Sequence, residues 1–373
     1  LVEQKNRLIF LDLLRAFAVL MMVQGHTVDT LLSDDYRTTD SFFFLFWSGM
    51  RGYTAPIFMF TSGAVFTYLF YLKGLPFKIN PRVKKGFKRF LLLVFIGYLL
   101  RYPTATIFDF SSVTEKGWII FFSVDALHLI GWGLLFIILF SFLGEKLKMN
   151  KYLLYSLLAA AFLIFTPYLT TFNWKEILPL PLAAYFYKDT GSLFPFFPWL
   201  GYMFGGAVFG YYISKNKNSF KSFRFSSSLM ILGGSLFIFA MIMQYYLLEA
   251  LEGNSWIFIS AVDLERIGVV IFIAGVISYI ALKLKTIPQI IFLVGRYTLL
   301  IYAVHLVILY GSAWSIGMIN YFRHEFSLGI TLLSVLIMYS LMLGLVLGVE
   351  KLKRKNFFEK INQYKISFFR SDA

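Results

Sequence analysis

Four ionisable residues, Asp12, Arg15, His26 and Asp29, interrupt an otherwise apolar run near the start of the 373-residue chain. In lipid each such group costs about 2.5–3.5 kcal/mol by insertion scales, so each needs a partner, a water-filled cavity or a chemical task. If the run is an α-helix, the eleven residues from Arg15 to His26 turn through about 1100°, roughly 20° past three full turns, and rise about 16 Å. Arg15 and His26 therefore share one face and stand near its opposite ends. Asp12 lies three residues before Arg15 and Asp29 three after His26, each placed as an i,i+3 partner on the same stripe. The chemistry such a stripe offers is the movement of a proton or the holding of a polar substrate, on a face that must point into a helix bundle.

The elements that must position this stripe follow from composition. Hydrophobic residues make up 58% of the chain and charged residues only 15%, against about 25% charged in a soluble domain. Mean hydropathy is +0.71, and runs long enough to cross a bilayer recur between short polar breaks. Ten spans are predicted: Leu8 to Leu32, Ala55 to Leu72, Phe90 to Ile107, Val124 to Leu143, Tyr152 to Leu169, Phe194 to Ile213, Leu229 to Leu248, Ile259 to Leu282, Ile290 to Leu309 and Leu328 to Val349. The expected fold class is an all-α integral membrane protein of about ten transmembrane helices. Residues 1–350 form a single polytopic domain, followed by a basic cytoplasmic tail at 351–373.

Lys and Arg set the orientation, because cationic loops are retained in the cytoplasm. One set of segments carries 25 of the 35 Lys and Arg residues, including seven from Lys73 to Arg89 and seven after Val349. The opposite set carries six, Arg37, Arg51, Lys116, Lys175, Lys188 and Arg323, and four more, Arg15, Arg101, Arg266 and Arg296, fall within spans. Both termini are thus expected in the cytoplasm. The first span is too long for a cleaved signal peptide. The expected location is a bacterial inner (plasma) membrane, crossed many times. The net charge of +15 is accounted for by cytoplasmic loops facing anionic headgroups, so nucleic acid is not an expected partner. With no Cys, thiol catalysis and thiolate metal sites are excluded, and no metal cofactor is expected.

With this topology all four histidines, His26, His128, His305 and His324, fall on the outer side. Asp125 precedes His128 by three residues, Asp263 precedes Arg266 by three, and Arg101 ends the third span. A polar outer chamber lined by His26, Asp125, His128, Arg266 and His305 suits a site where a proton is moved or a polar substrate is held. The same residues also allow a plainer reading, since a membrane His can simply bond a neighbouring helix and a span-end Arg can snorkel. On a straight helix Arg296 and His305, nine residues apart, point to opposite sides and serve different surfaces. The segments Ser33 to Thr54, Asp109 to Ser123 and Thr170 to Leu193 are expected as outer loops forming a shallow vestibule. Lys73 to Arg89 is expected as a basic cytoplasmic stretch able to meet phosphates.

The first span, "RLIFLDLLRAFAVLMMVQGH" from Arg7 to His26, resembles the opening of the transmembrane acyltransferase superfamily. "RGYTAPIFMFTSGAVFTYLF" from Arg51 is similar to that group's second span. "FPFFPWLGYMFGGAVFG" from Phe194 resembles a segment of the branch related to heparan-alpha-glucosaminide N-acetyltransferase, and "VDALHLIG" and "GRYTLLIYAVHL" fit as well.

The resemblance, to the acyltransferase 3 and heparan-alpha-glucosaminide N-acetyltransferase-like groups, implies transfer of an acetyl or other acyl group from cytoplasmic acyl-CoA to a hydroxyl or amine of an extracytoplasmic glycan. It implies catalytic roles for His26, as general base or acyl carrier, with Arg15, Asp12, Asp125 and His128. Arg15, Arg296, Lys84, Lys85 and Arg89 would hold acetyl-CoA, and His305, Arg266 and Arg101 would line the acceptor site. Ser62 and Gly63 would let helices or cofactor approach closely. The lysosomal glucosaminide enzyme carries its catalytic His after the first span, whereas Thr27 to Thr54 contain none, which leaves His26. The partners expected are the bilayer, acyl-CoA and a sugar acceptor, with a homodimer as one open assembly. The alternative is a proton-coupled transporter of a small polar substrate, which would need the same intramembrane charges.

Overall fold

The computed structural model describes residues 9–371 except 39, 217, 248–254, 285 and 287. Arg7, at the head of the first motif, and residues 372–373 of the tail lie outside them. The order of helices is α1 (Ile9–Leu31), α2 (Phe42–Tyr71), α3 (Pro81–Leu100), α4 (Glu115–Phe122), α5 (Ala126–Lys146), α6 (Lys151–Ile164), the short α7 (Thr166–Leu169), α8 (Trp174–Ile177) and α9 (Leu180–Ala183), α10 (Phe196–Lys215) and α11 (Phe223–Ile242). There follow α12 (Ser255–Lys283), α13 (Gln289–Arg296), α14 (Thr298–Tyr310), a two-residue-per-strand hairpin of β1 (Gly311–Ser312) and β2 (Ser315–Ile316), α15 (Ile319–Phe322) and α16 (Leu328–Ser371).

Among the described residues five helices are long and apolar enough to cross a membrane: Ile9–Leu31, Phe44–Tyr71, Ala126–Lys146, Phe223–Tyr246 and Leu328–Arg354. The pair α13 and α14 qualifies as a sixth only if taken together, bent by 74°. The chain is therefore an all-α membrane protein. Each of the ten predicted spans contains helix, but several bounds move. The second helix begins at Phe42, so half of the predicted outer loop Ser33 to Thr54 is helical, started by the Ser41 hydroxyl accepting from the Phe44 amide. The third begins at Pro81 and ends at Leu100 rather than Ile107. Asn80 caps it and Pro81 occupies its first turn, where a missing N–H costs nothing. The fifth keeps its extent but is divided into α6 and α7 at Phe165, and the last helix continues past Val349 to Ser371. The segments 109–123 and 170–193, expected as outer loops, also hold short helices, α4, α8 and α9.

The molecule is apolar outside as well as inside. Phe87, Leu91, Leu92 and Phe95 on α3, and Leu332, Leu333, Leu336 and Ile337 on α16, are exposed, as lipid-facing residues must be. In lipid, helix association depends on close packing and polar bonds rather than on burial of apolar area. The sharpest example is α10 on α2. A Cβ at Gly206 would lie 1.9 Å from the Phe60 carbonyl oxygen, and one at Gly63 2.0 Å from that of Met203. Backbone meets backbone there, so only glycine fits.

α1 is the hub, packed against α2, α12, α13, α14 and α16. Leu14, Ala18, Val19 and Val23 are buried in this centre, and the Tyr339 hydroxyl of α16 donates to the Leu20 carbonyl of α1 at 3.0 Å. Being surrounded on every side is what makes a polar stripe on α1 tolerable.

Candidate functional site

His26, one turn from the end of α1, is met by two side chains from α14. The His26 and His305 rings lie 5.4 Å apart between centroids, and His26 Nδ1 is 3.0 Å from the Tyr310 hydroxyl, with the two rings edge to face. His305 is completely buried; its Nδ1 lies 2.7 Å from the Ile301 carbonyl one turn back, so Nδ1 carries the proton and donates. Its Nε2 has no hydrogen-bond partner among the described residues. The segment just after Tyr310 holds that residue in place. α14 stops at Gly311, whose φ of 83° and ψ of −167° only glycine adopts readily. The β1–β2 hairpin then folds back, and Trp314 at its tip stacks on Tyr102 and donates to the Ala105 carbonyl at 2.9 Å.

Asp29 was expected to partner His26, but the structure pairs it with arginines instead. Arg51 of α2 binds it in a two-pronged arrangement, at 2.6 and 2.9 Å, and Arg37 lies 3.6 Å from the same carboxylate. The i,i+3 spacing is satisfied equally well by a neighbouring helix, and a planar guanidinium matches both carboxylate oxygens where an imidazole matches one. The end of α1 is closed by Arg37 donating to the Asp29 and Leu32 carbonyls and by His324 Nε2 against the Asp29 carbonyl at 3.1 Å. His324 thus serves the α1 terminus, whose last carbonyls lack intrahelical partners.

A second group lies at the start of α5. Asp125 caps α5, accepting from the Leu127 and His128 amides, and its Oδ1 lies 2.9 Å from His128 Nδ1. This is a capping box with histidine in the third position. The His128 ring is fully buried against Tyr98, with 4.3 Å between centroids. Arg101 approaches Asp125 at 3.7 Å and donates to the Ser123 hydroxyl. Tyr302, one turn before His305, is within electrostatic reach of Asp125 and Arg101 and packs 5.9 Å from the His305 ring. It therefore stands between this group and the one around His26.

A third group joins α10, α11, α12 and α2. The Tyr202 hydroxyl donates to Asp263 Oδ1 at 2.6 Å, and Arg266 reaches the same oxygen at 3.4 Å. Glu265 accepts from the Tyr53 hydroxyl and, at 2.8 Å, from Gln244, which sits on a π-helical turn (Met243–Leu247) at the end of α11. Arg266 thus belongs to this group, with Tyr53 two residues beyond Arg51 as the covalent link towards His26.

Arg15 occupies the other half of α1, its guanidinium 3.5 Å from the Thr298 hydroxyl. Thr298 opens α14 just past the 74° break. The Asp12 backbone lies against Gly295, the residue before Arg296. The predicted straight helix from Ile290 to Leu309 is therefore two helices, so the angular argument separating Arg296 from His305 no longer applies. What separates them is the bend. Arg296 is exposed at the end of α13, near a cluster in which Glu350 accepts from Tyr297 at 2.8 Å and Lys353 covers the Tyr297 ring. Lys84, Lys85 and Arg89 are exposed on the first turns of α3, not in a loop.

Sequence reasoning missed Arg51, Tyr310, Tyr302 and Tyr202. The first was read as lying in a loop. The tyrosines carry no charge, so nothing in an aromatic-rich chain set them apart.

Helices long and apolar enough to span a membrane, a half-buried polar stripe on the central one, and a second histidine packed against His26 of that stripe define an all-α membrane protein. Residues 7–249, well over half of the chain, match the family described as heparan-alpha-glucosaminide N-acetyltransferase, catalytic. The chain belongs to that family. The matched stretch includes α1 and His26, while α12 to α16, with Asp263, His305 and Tyr310, lie beyond it. No curated protein matches the chain, and neither does any solved structure.

Proposed function

We propose that this protein is a membrane acetyltransferase that takes an acetyl group from cytoplasmic acetyl-CoA and transfers it to a hydroxyl or amine of a glycan outside the cytoplasm. The observation that carries the reading is the family match over residues 7–249. The pairing of His26 with His305 and Tyr310 supports it. The ten helical segments cross the membrane ten times, with both termini in the cytoplasm, in accord with the Lys and Arg asymmetry.

In this mechanism His26 keeps its proton on Nδ1, donating it to Tyr310, and offers Nε2 as the base. As the acceptor's oxygen or nitrogen attacks the thioester carbonyl, His26 takes the proton that the nucleophile loses. The tetrahedral intermediate collapses with cleavage of the C–S bond, and the departing thiolate receives the proton from His26 to leave as the free thiol. The acceptor keeps the acetyl group as an ester or amide. A His26 that first carries the acetyl itself splits the same balance into two steps. Arg15, near the break before α14 and on the same stripe, binds the donor's anionic or carbonyl groups, with Asp12 and Arg296 at the same end. Lys84, Lys85 and Arg89 meet its phosphates. His305, Arg101 and Arg266 face the acceptor, and Asp125 and His128 act by fixing the start of α5.

The test is to incubate the detergent-purified chain with [1-14C]acetyl-CoA and a panel of amino and neutral saccharides, following label transfer and CoA thiol release. Saturable release that depends on an acceptor and vanishes in His26→Ala is expected. Absence of acetyl-CoA binding would overturn the reading. One observation favours a second reading, a proton-coupled transporter: the bent pair α13 and α14 resembles the discontinuous helices around which transporters build their sites. Saccharide accumulation in proteoliposomes that follows a proton gradient, without acetylation, would establish it instead.

A further inference from the structure

Both ring nitrogens of His324 face oxygen atoms that only accept. Nδ1 lies 3.0 Å from a carboxylate oxygen of Asp34, and Nε2 lies 3.1 Å from the Asp29 carbonyl oxygen. A neutral imidazole carries one N–H and one lone pair, whereas an imidazolium carries two N–H groups. Whichever proton a neutral ring kept, its lone pair would be pressed against the other oxygen. The arrangement is that of a doubly protonated His324, and the C-terminal end of α1 is a place where the helix dipole favours such a charge.

The backbone around the ring is built to match. His324 has a φ of 56°, in the left-handed region that a non-glycine residue keeps only where its surroundings hold it. Its amide donates to the Thr30 carbonyl at 3.1 Å, the Phe326 amide donates to the Leu31 carbonyl at 2.9 Å, and the Phe326 carbonyl accepts from the Ser33 amide at 2.9 Å. Residues 324–326 thus supply donors to the last carbonyls of α1, which have none within the helix. The same stretch of chain is anchored to α14, because the Met318 amide donates to the Ile308 carbonyl at 2.9 Å. The chain that follows Tyr310 is in this way fastened to the end of the helix that carries His26, and those two side chains meet at 3.0 Å.

The other charges around the ring divide into those that hold without it and those that do not touch the joint. The Asp29 carboxylate is engaged by Arg51 and Arg37, and Arg37 also lies 3.5 Å from the Asp34 oxygen that His324 approaches. Asp35 accepts from the Ser33 hydroxyl at 3.2 Å. Arg323 and Glu325, on either side of His324, are exposed. Arg37 donates to the Asp29 and Leu32 carbonyls and is never deprotonated in a protein, so it holds the turn at Asp34 to α1 whatever the state of His324. A change of protonation therefore acts on the joint between α1 and residues 324–326.

We propose that His324 is a proton-operated clamp: doubly protonated, it fastens the segment after α14 to the end of α1 and so keeps Tyr310 against His26, and on losing a proton it loosens that segment. Histidine side chains make this change between about pH 5 and 8. The clamp closes as the medium on its side, the outer side in the proposed topology, turns acidic, and opens as that medium turns alkaline. The Asp34 side chain is 75% exposed, so water screens the ion pair and the change is severalfold rather than all-or-none. The clamp does not depend on which reaction His26 performs.

The experiment uses the full chain in proteoliposomes. Solid-state nitrogen-15 NMR of histidine-labelled protein reads ring protonation, with His324→Gln identifying the His324 signals. Hydrogen exchange over residues 317–327, corrected for the intrinsic pH dependence of exchange, reads the joint. Between about pH 5.5 and about pH 8.5 the ring should pass from two protonated nitrogens to one, with a severalfold rise in exchange. In His324→Gln, whose amide donates to a carbonyl and carries no titrating charge, exchange should be the same at both ends of that interval. Asp34→Asn, which keeps an accepting oxygen without the charge, should shrink the step. A wild-type joint whose exchange does not follow the ring's protonation, or a pH-dependent rise equally large in His324→Gln, would overturn the clamp. Acetyl transfer enters neither readout, so failure of the clamp and failure of the acetyltransferase reading are separate results.

Discussion

Replacing Tyr310 with phenylalanine tests the proton-handling centre with the smallest change available. The ring remains, so the edge-to-face packing on His26 at 5.7 Å between centroids is kept, and only the hydroxyl 3.0 Å from Nδ1 is lost. If Nδ1 carries the proton, it loses its acceptor, and leaving a buried donor unpaired costs about 1–3 kcal/mol. Tyr310 is 37% exposed, so water replaces part of that bond and the lower half of the range applies. A loss of about 1–2 kcal/mol expressed in the transition state lowers the rate about 5- to 30-fold. The assay is acceptor-dependent CoA thiol release by the purified chain at saturating acetyl-CoA, with acetyl-CoA affinity measured separately. A lower kcat with unchanged acetyl-CoA affinity is expected, against complete loss in His26→Ala. A Tyr310→Phe rate within twofold of wild type would refute the assignment of the Nδ1 proton and of Tyr310 as the residue that orients His26.

Gly206→Ala places a methyl group 1.9 Å from the Phe60 carbonyl oxygen, and the overpacking cost of about 1–3 kcal/mol exceeds the roughly 1 kcal/mol gained in helix propensity. A lower unfolding midpoint in detergent is expected, and an unchanged one would mean that α10 and α2 are farther apart. Arg15→Gln removes a charge-assisted contact of about 1.5 kcal/mol, so the KM for acetyl-CoA should rise about tenfold with little change for the acceptor. Exchanging Lys84, Lys85 and Arg89 together for glutamine should weaken acetyl-CoA binding and flatten its salt dependence, read by titration at two ionic strengths. Because the chain has no cysteine, single cysteines introduced at Lys85 and Asp189 report sidedness directly. A membrane-impermeant maleimide should label only the second in intact cells, and the reverse pattern would invert the topology.

Much of the architecture was legible in the chain because lipid imposes a simple rule: backbone polar groups must be satisfied within a helix, and the helix must be apolar over a bilayer's thickness. The existence of helix in every predicted span follows from that rule. Where the predictions slipped, a second signal overrode hydropathy. Ser41 starts α2 at Phe42, thirteen residues before the predicted span at Ala55, Asn80 starts α3 well before its apolar run begins, and the Arg296–Tyr297–Thr298 junction breaks a largely apolar run. Hydropathy averages over about twenty residues and cannot register a break of one.

The sequence by itself determined the helical membrane class and the stripe on α1, because each depends on local spacing or on composition. It placed Arg15 and His26 on one face from helix geometry alone. Which groups would meet that face was decided only by tertiary structure. Asp29, three residues from His26, turns to Arg51 and Arg37, while His26 is met by His305 and Tyr310 from a helix nearly three hundred residues away. Hydrogen-bonding groups have several chemically acceptable partners, and spacing along one helix ranks none of them. The choice falls to whichever neighbouring helix packing brings within about 3 Å.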